Sequence, residues 1–183
     1  MPSTAALIPP RRIPWRLFWL LPPALLAIPV LNRWPWTLSD FIIAAVLFGV
    51  AGGTIELAAR VSANRYYRGG ALLAVLASFA LVWVNGAVGI LGDEGNPANL
   101  MFLGVIALAA AGATIAGFRA AGLGKAMLAA GIAQFLVCAS GYALHLGADG
   151  WRGLFEATLG VVLFCPLWLG SSWLFARAAN RPA

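Results

Sequence analysis

The sequence predicts an all-α, polytopic integral membrane protein: a bundle of six transmembrane helices with both termini in the cytoplasm. Of its 183 residues, 62% are apolar and only 10% are charged, and the mean hydropathy is +0.88. Soluble domains are about half apolar and a quarter charged. The apolar residues fall in six runs, each long enough for a bilayer crossing of about 20 residues. The connections between the runs are too short to form an extramembrane domain.

The predicted organisation is one membrane domain over residues 13–179, with cytoplasmic tails at 1–12 and 180–183. The start of the chain has the outline of a signal anchor. We expect it to stay uncleaved, because an arginine and several prolines interrupt the apolar run and no small-residue cleavage site follows. The six helices are predicted at about residues 15–31, 38–59, 69–91, 97–118, 126–146 and 154–179.

Proline and capping residues mark the first two helices. Pro22 and Pro23 predict a kink in the first helix, because proline removes a backbone hydrogen bond. The polar connection that follows contains tryptophans of the kind that lie at the headgroup interface. Thr37 with Asp40 three residues later matches a capping box, so the second helix is expected to begin there.

Turn residues separate the later helices. Gly92 is the expected C-cap of the third helix, and Asn96 followed by Pro97 fits the N-cap and first turn of the fourth. The glycine-containing basic segment 119–125 is expected to be the turn before the fifth helix.

The basic residues orient the bundle. The net charge of +6 does not indicate nucleic-acid binding, because the basic residues lie between apolar runs and form no continuous stripe. Only Arg33 and Arg152 fall on one side of the predicted membrane, so the positive-inside rule places the other side, with both termini, in the cytoplasm. The cytoplasmic side holds the other ten of the twelve basic residues: Arg11, Arg12, Arg16, Arg60, Arg65, Arg68, Arg119, Lys125, Arg177 and Arg181.

Asn85 is the first candidate functional residue. It lies about four turns into the predicted third helix, roughly 24 Å from its start, so its amide is expected inside the membrane. An unpaired amide in hydrocarbon costs several kcal/mol. Asn85 is therefore expected either to form an interhelical hydrogen bond or to face a ligand in a pocket that opens outward.

Further polar residues are expected near the same outer surface. Oxygen-rich clusters can hold a cation, and a histidine beside a carboxylate can titrate near neutral pH. The competing interpretation is structural, because caps, helix dipoles and solvated turns account for such residues singly. The candidate ligand-binding set is Asn85, Asp93, Glu94, Asn99, His145 and Glu156, with Asp40 and Asn96 nearby.

On the cytoplasmic side, Glu56 lies one turn before Arg60, and we expect an ion pair. Cys138 and Cys165 lack any metal-ligand spacing and are expected to be buried thiols. No familiar catalytic motif occurs, and one histidine cannot supply paired haem ligands. The sequence predicts no catalytic residue, metal or cofactor.

Four segments together resemble a known group. They are TLSDF at 37–41, ELAAR at 56–60, YYRGG at 66–70 and WVNGAVGILGDEGNPANLMF at 83–102. Over residues 13 to about 120 the chain resembles a group of small, uncharacterised bacterial inner-membrane proteins, with NPANLMF the most specific part. The resemblance implies a location in the bacterial inner membrane and the six-helix layout. It transfers no catalytic residue.

Three functions remain open at this point. The leading expectation is a non-enzymatic accessory or scaffold component whose partners are the lipid bilayer and either further copies of itself or a membrane complex. The alternative is a small-solute or ion transporter or channel with an outward-facing polar site. The third is a membrane enzyme acting on lipid or quinone.

Overall fold

The computed structural model describes residues 19–181, and within that range the chain is helical and contains no strand. Five elements are long and apolar enough to cross a membrane, while α1 has eleven residues and is shorter. The predicted all-helical class is confirmed. The described elements are α1 (Leu21–Leu31), α2 (Leu38–Val61), α3 (Arg65–Ala87), a 3-10 turn (Pro97–Asn99), α4 (Leu100–Ile115), α5 (Ala120–Ala143) and α6 (Gly150–Asn180).

The chain divides into two compact units, Met1–Gly52 and Gly53–Ala183. The first contains α1 and the beginning of α2, and the second contains the rest of α2 and α3 to α6. The predicted tail at 1–12, the start of the predicted first helix and residues 182–183 lie outside the described residues.

In the first unit, two prolines lie at the start of α1 and a third, Pro29, lies inside it. Pro22 and Pro23 occupy the first turn of the helix that starts at Leu21. A first-turn proline gives up an N–H group that has no partner within the helix in any case. The residues before Trp19 lie outside the described part of the chain, so the kink at Pro22 and Pro23 stays a prediction.

The start of α2 follows the predicted capping box. The Asp40 carboxylate accepts hydrogen bonds from the Thr37 backbone N–H at 2.6 Å and from its hydroxyl at 2.8 Å. Trp36 packs edge-on against Phe41, with ring centroids 5.2 Å apart. This contact links the connection to the first turn of the helix.

In the second unit, α3 and α5 begin earlier than predicted, at Arg65 instead of 69 and at Ala120 instead of 126. Asn64 is the N-cap of α3, and its Oδ1 accepts from the Tyr66 N–H at 2.8 Å. Arginine and lysine are good helix formers, so these helices continue past the apolar run that was used to predict them.

The turn before α5 precedes segment 119–125 and does not coincide with it. Gly117 and Phe118 adopt left-handed backbone conformations, with φ of 55° and 57°. Two consecutive residues of this kind end α4, which stops at Ile115 and not at the predicted 118. The turn was predicted within segment 119–125, whereas the structure places it just before this segment, at Gly117 and Phe118.

Helix α6 lies against both α3 and α5, and α5 also packs on α4. Glycines allow the close approach. A methyl group added at Gly70 would lie 3.0 Å from the Phe175 ring, and one at Gly131 would lie 3.3 Å from the Trp168 Cβ. Tight contacts between small residues and large side chains are the usual means of packing helices in a bilayer, where water does not drive them together.

Hydroxyl groups on α6 complete these contacts. Ser171 donates to the Gly70 carbonyl at 2.8 Å, and Ser172 donates to the Gly124 carbonyl at 2.7 Å. Ser171 is fully buried. These two α6 hydroxyls are therefore satisfied by the backbone of neighbouring helices.

Candidate functional site

The loop after α3 is organised by one buried amide. Asn99 is only 7% exposed, and its Oδ1 accepts from the backbone N–H groups of Ile90 at 3.1 Å and Leu91 at 2.9 Å. Its Nδ2 donates to the carbonyls of Leu91 at 3.2 Å and Asp93 at 2.8 Å. Two acceptor and two donor positions are the full capacity of an asparagine amide, so Asn99 is saturated by its own loop.

Glycine makes this tight loop feasible. Helix α3 ends at Ala87, and the N–H groups of Val88 and Gly89 both donate to the Val84 carbonyl. Gly89 has φ +73°, and a methyl group there would lie 2.3 Å from the Asp93 carbonyl oxygen. The predicted C-cap at Gly92 is therefore wrong, because the chain leaves the helix four residues before the predicted end.

Glu156 joins this loop to the one before α6. Its Oε2 accepts from the Gly92 N–H at 2.9 Å and from the Ala148 N–H at 3.1 Å. Because α6 begins at Gly150, Glu156 lies in the second turn and not in the first turn as predicted. Its partners are loop amides, so the helix dipole is not needed to explain its position.

Asn96 makes a second connection between the same loops. Its Nδ2 donates to the carbonyls of Leu91 at 3.0 Å and Leu146 at 2.5 Å, while its Oδ1 accepts from the Ala98 N–H at 3.0 Å. The last bond is the predicted N-cap, which here caps the 3-10 turn that leads into α4. We call Asn96, Asn99 and Glu156, with loops 88–96 and 144–149, the clasp.

Asp93 and Glu94 are exposed at the tip of the first loop. The Asp93 Oδ1 accepts from the Gly95 N–H at 3.0 Å, an Asx turn that closes the tip locally.

His145 lies at the surface of the second loop. Its Nδ1 is 3.3 Å from the Asp149 Oδ1, and the two side chains are 72% and 88% exposed. His145 has φ +52°, which fits the tight turn after α5. The one histidine of the chain therefore contacts a surface carboxylate.

Asn85 lies two residues before the end of α3, about 30 Å along a helix that begins at Arg65. Its Nδ2 donates to the Leu81 carbonyl of the same helix at 2.7 Å. Its Oδ1 is buried and has no hydrogen-bond partner among the described residues. The predicted interhelical hydrogen bond is thus replaced by a bond within the helix.

Two further buried polar groups were not included in the predicted site. Gln134 is fully buried in α5, where its Nε2 lies 3.4 Å from the Gly160 carbonyl and its Oε1 has no partner among residues 19–181. The indole N–H of Trp168 is likewise buried without a partner there. A glutamine in a transmembrane run is a signal that could have found the first, whereas tryptophan carries no such signal.

The structure therefore brings together part of the predicted set. Asn99 and Glu156 meet at segment 91–93, next to Asp93, whereas His145 is paired at the surface. Among residues 19–181, no group of three or more histidine, cysteine, aspartate or glutamate side chains is arranged to hold a metal ion. Cys138 and Cys165 are buried and free.

At the opposite end of the second unit, Glu56 and Arg60 form an ion pair one turn apart on α2. Arg68 donates to the carbonyls of Ser62 at 2.7 Å and Ala59 at 2.8 Å, which fixes the turn between α2 and α3.

Together, the five long apolar elements indicate, by length and composition, a helical protein embedded in a lipid bilayer. Comparison with protein-family models, with curated proteins and with solved structures finds no match.

Proposed function

We propose that the protein is a non-enzymatic accessory or scaffold component of the bacterial inner membrane, with six crossings and both termini in the cytoplasm. The observation that carries the proposal is the clasp, in which Asn96, Asn99 and Glu156 bind the protein's own backbone. A solute or ion site needs polar groups that are free to bind the ligand. In the clasp, these groups already have protein partners.

The packing of the bundle supports the same proposal. Alternating access requires helices or repeats that rock against one another. A methyl group added at Gly112 of α4 would lie 2.7 Å from the Ala126 Cβ of α5, and one at Gly160 of α6 would lie 2.8 Å from the Cys138 Sγ of α5. Contacts this close favour a bundle that keeps one arrangement.

The proposed topology rests on the distribution of the basic residues. The proposed location in the bacterial inner membrane rests on the resemblance of the four segments, of which 83–102 contains the most specific part. A reporter fused after Ala183 tests the orientation. We expect a cytoplasmic signal, and a periplasmic one would contradict an even number of crossings from a cytoplasmic start.

Flux measurements separate a scaffold from a transporter or channel. The wild type and Glu156→Gln are reconstituted into vesicles, and potassium and proton flux are followed with a pH-sensitive dye. We expect both proteins to give the same flux as empty vesicles. Flux in the wild type that Glu156→Gln abolishes would assign the carboxylate to transport and contradict the proposal.

A scaffold should also contact other proteins. A photoreactive residue is placed in cells at lipid-exposed positions such as Ile132, Leu136 and Val162, which are 53%, 57% and 60% exposed. We expect a discrete protein adduct from at least one helix face. Adducts with lipid alone at every scanned apolar position would argue against a scaffold.

A transporter or channel is the second candidate, and three buried atoms without a partner among residues 19–181 favour it: the Asn85 Oδ1, the Gln134 Oε1 and the Trp168 Nε1. Leaving such a group unpaired costs about 1–3 kcal/mol, which a passing solute could relieve. Gln134→Leu decides between the candidates. A scaffold should tolerate it, because it removes an unpaired group at similar volume, whereas a transporter should lose flux.

A further inference from the structure

We infer that the end of the bundle where α3 begins and α6 ends binds the phosphate group of an anionic phospholipid. The site consists of Arg65 and Arg181 at Tyr66, with Arg177 at Trp173 on the same end of α6. It requires only that the bundle lies in a bilayer, so it goes beyond the scaffold proposal and does not depend on it.

Two of the guanidinium groups converge on one phenol. The Arg65 Nη2 donates to the Tyr66 hydroxyl at 3.1 Å, and the Arg181 Nη1 lies 3.5 Å from the same oxygen. Their guanidinium carbons are 5.0 Å and 6.0 Å from the Tyr66 ring centroid. Both cations therefore lie close enough together for one phosphate to contact both.

The arrangement is held by the backbone. Asn64, the N-cap of α3, donates from its Nδ2 to the Arg181 carbonyl at 2.5 Å, which ties the end of α6 to the start of α3. Arg177, one turn before Arg181, lies over the Trp173 ring with its guanidinium carbon 4.7 Å from the centroid. The third cation is thus held on the same end of α6.

The cluster has no anion of its own within the described part of the chain. The ion pairs found there are Glu56 with Arg60 and His145 with Asp149. Gathering like charges is unfavourable unless an opposite charge joins them. An anion from outside the described residues would therefore stabilise this end.

The occupant follows from where the cluster lies. Its residues stand at the ends of two membrane-spanning helices, beside Tyr66 and Trp173, and such aromatic side chains prefer the headgroup level. Arginine presents a planar fork that binds phosphate oxygens in pairs. Basic pockets between transmembrane helices are known to take phospholipid headgroups, whose acyl chains would cover the adjacent apolar helix surface.

The test compares two matched double variants in nanodiscs. Arg65→Gln with Arg181→Gln removes two cluster charges, and Arg119→Gln with Lys125→Gln removes two charges from the exposed start of α5. Binding of phosphatidylglycerol relative to phosphatidylcholine is measured by native mass spectrometry. We expect the cluster variant to lose this preference about 30-fold, from the roughly fivefold effect of each arginine near an anionic surface, and the control to change it far less.

Three outcomes would overturn the inference. They are equal binding of the two lipids by the wild type, an equal loss in both double variants, and retention of inorganic phosphate by the wild type in place of lipid. The last outcome would make the cluster a site for a soluble anion. If the cluster variant does not fold, the single variant Arg177→Gln takes its place, since its side chain is exposed and its removal breaks no hydrogen bond to the backbone.

Discussion

The two ends of the bundle in residues 53–181 satisfy their polar groups in opposite ways. At the clasp, one carboxylate and two amides bind loop backbone, and Asn99 uses its entire hydrogen-bonding capacity. At the other end, Arg65 and Arg181 meet at Tyr66 and Arg177 lies over Trp173, and no carboxylate among the described residues pairs with them. At the first end the polar side chains bind the protein's own backbone. At the second end, by our inference, an anionic lipid supplies the partner for the arginines.

This contrast shows that polarity alone does not locate a ligand. The clasp region is rich in polar residues, yet its buried groups are already partnered and its exposed ones form local turns. The arginine cluster looks like an ordinary topology signal in the sequence, yet it leaves positive charge unmatched. Four changes test the contrast, from the largest expected effect to the smallest.

Asn99→Leu should have the largest effect. It leaves the N–H groups of Ile90 and Leu91 without their partner and removes one donor from the carbonyls of Leu91 and Asp93, which keep their bonds to Asn96. Each unsatisfied buried group costs about 1–3 kcal/mol. We expect a loss of about 3 kcal/mol or more in the free energy of unfolding, measured in detergent by tryptophan fluorescence. Asn85→Leu is the control, because the Asn85 side chain donates only to a carbonyl of its own helix, and it should cost less; equal losses in both variants would contradict the bonding described.

Gly112→Ala tests the packing of α4 on α5, about one turn before α4 ends. The added methyl group would lie 2.7 Å from the Ala126 Cβ, and forced overpacking costs about 1–3 kcal/mol. Gly104→Ala on the same helix is the control, because nothing lies within 4 Å of its added methyl group. The control should be neutral or slightly stabilising, and equal melting temperatures for the two variants would mean that α4 and α5 are not in close contact.

Glu156→Gln should have a smaller effect, about 1 kcal/mol, because glutamine can still accept from Gly92 and Ala148 but without the added strength of a charge. Glu94→Gln, at the exposed tip of the same loop, should change stability by less than about 0.5 kcal/mol. Thermal unfolding of the two variants in one detergent makes the comparison. Indistinguishable unfolding curves would mean that Glu156 does not hold the two loops of the clasp together.

The smallest effect on stability is expected at the other end. Without anionic lipid, Arg65→Gln should change the free energy of unfolding by less than about 0.5 kcal/mol, because its exposed charge has no anionic partner among the described residues. Adding phosphatidylglycerol should stabilise the wild type more than this variant. A large loss in lipid-free detergent would mean that the arginine supports the fold itself.

Much of the fold was predictable, because long apolar runs identify membrane-spanning helices and short polar motifs identify caps. The capping box at Thr37 and Asp40 and the N-cap at Asn96 depend only on neighbours three residues away or fewer. Helix ends were less predictable. Basic residues continue α3 and α5 beyond the apolar run, and which glycine ends a helix depends on contacts such as that between Gly89 and Asp93.

The candidate site was less predictable than the fold. Sequence correctly marks Asn99 and Glu156 as unusual polar residues, but their partners are backbone groups up to 64 residues away, such as the Gly92 N–H for Glu156. Whether an amide side chain has all its hydrogen bonds within the protein or is free to bind a ligand depends on those partners. The same applies to Tyr66 and Arg181, which lie 115 residues apart and are joined only by the packing of α3 on α6.

Hydrogen–deuterium exchange of the loop amides tests the central claim, that the clasp closes this end of the bundle, most directly. In the wild type, the N–H groups of Ile90, Leu91, Gly92 and Ala148 should exchange slowly, and Glu156→Gln should accelerate exchange at Gly92 and Ala148 but not at Ile90 and Leu91. If all four exchange in the wild type as fast as the exposed tip at Glu94, the loops are not held together. The polar residues would then be open to a ligand.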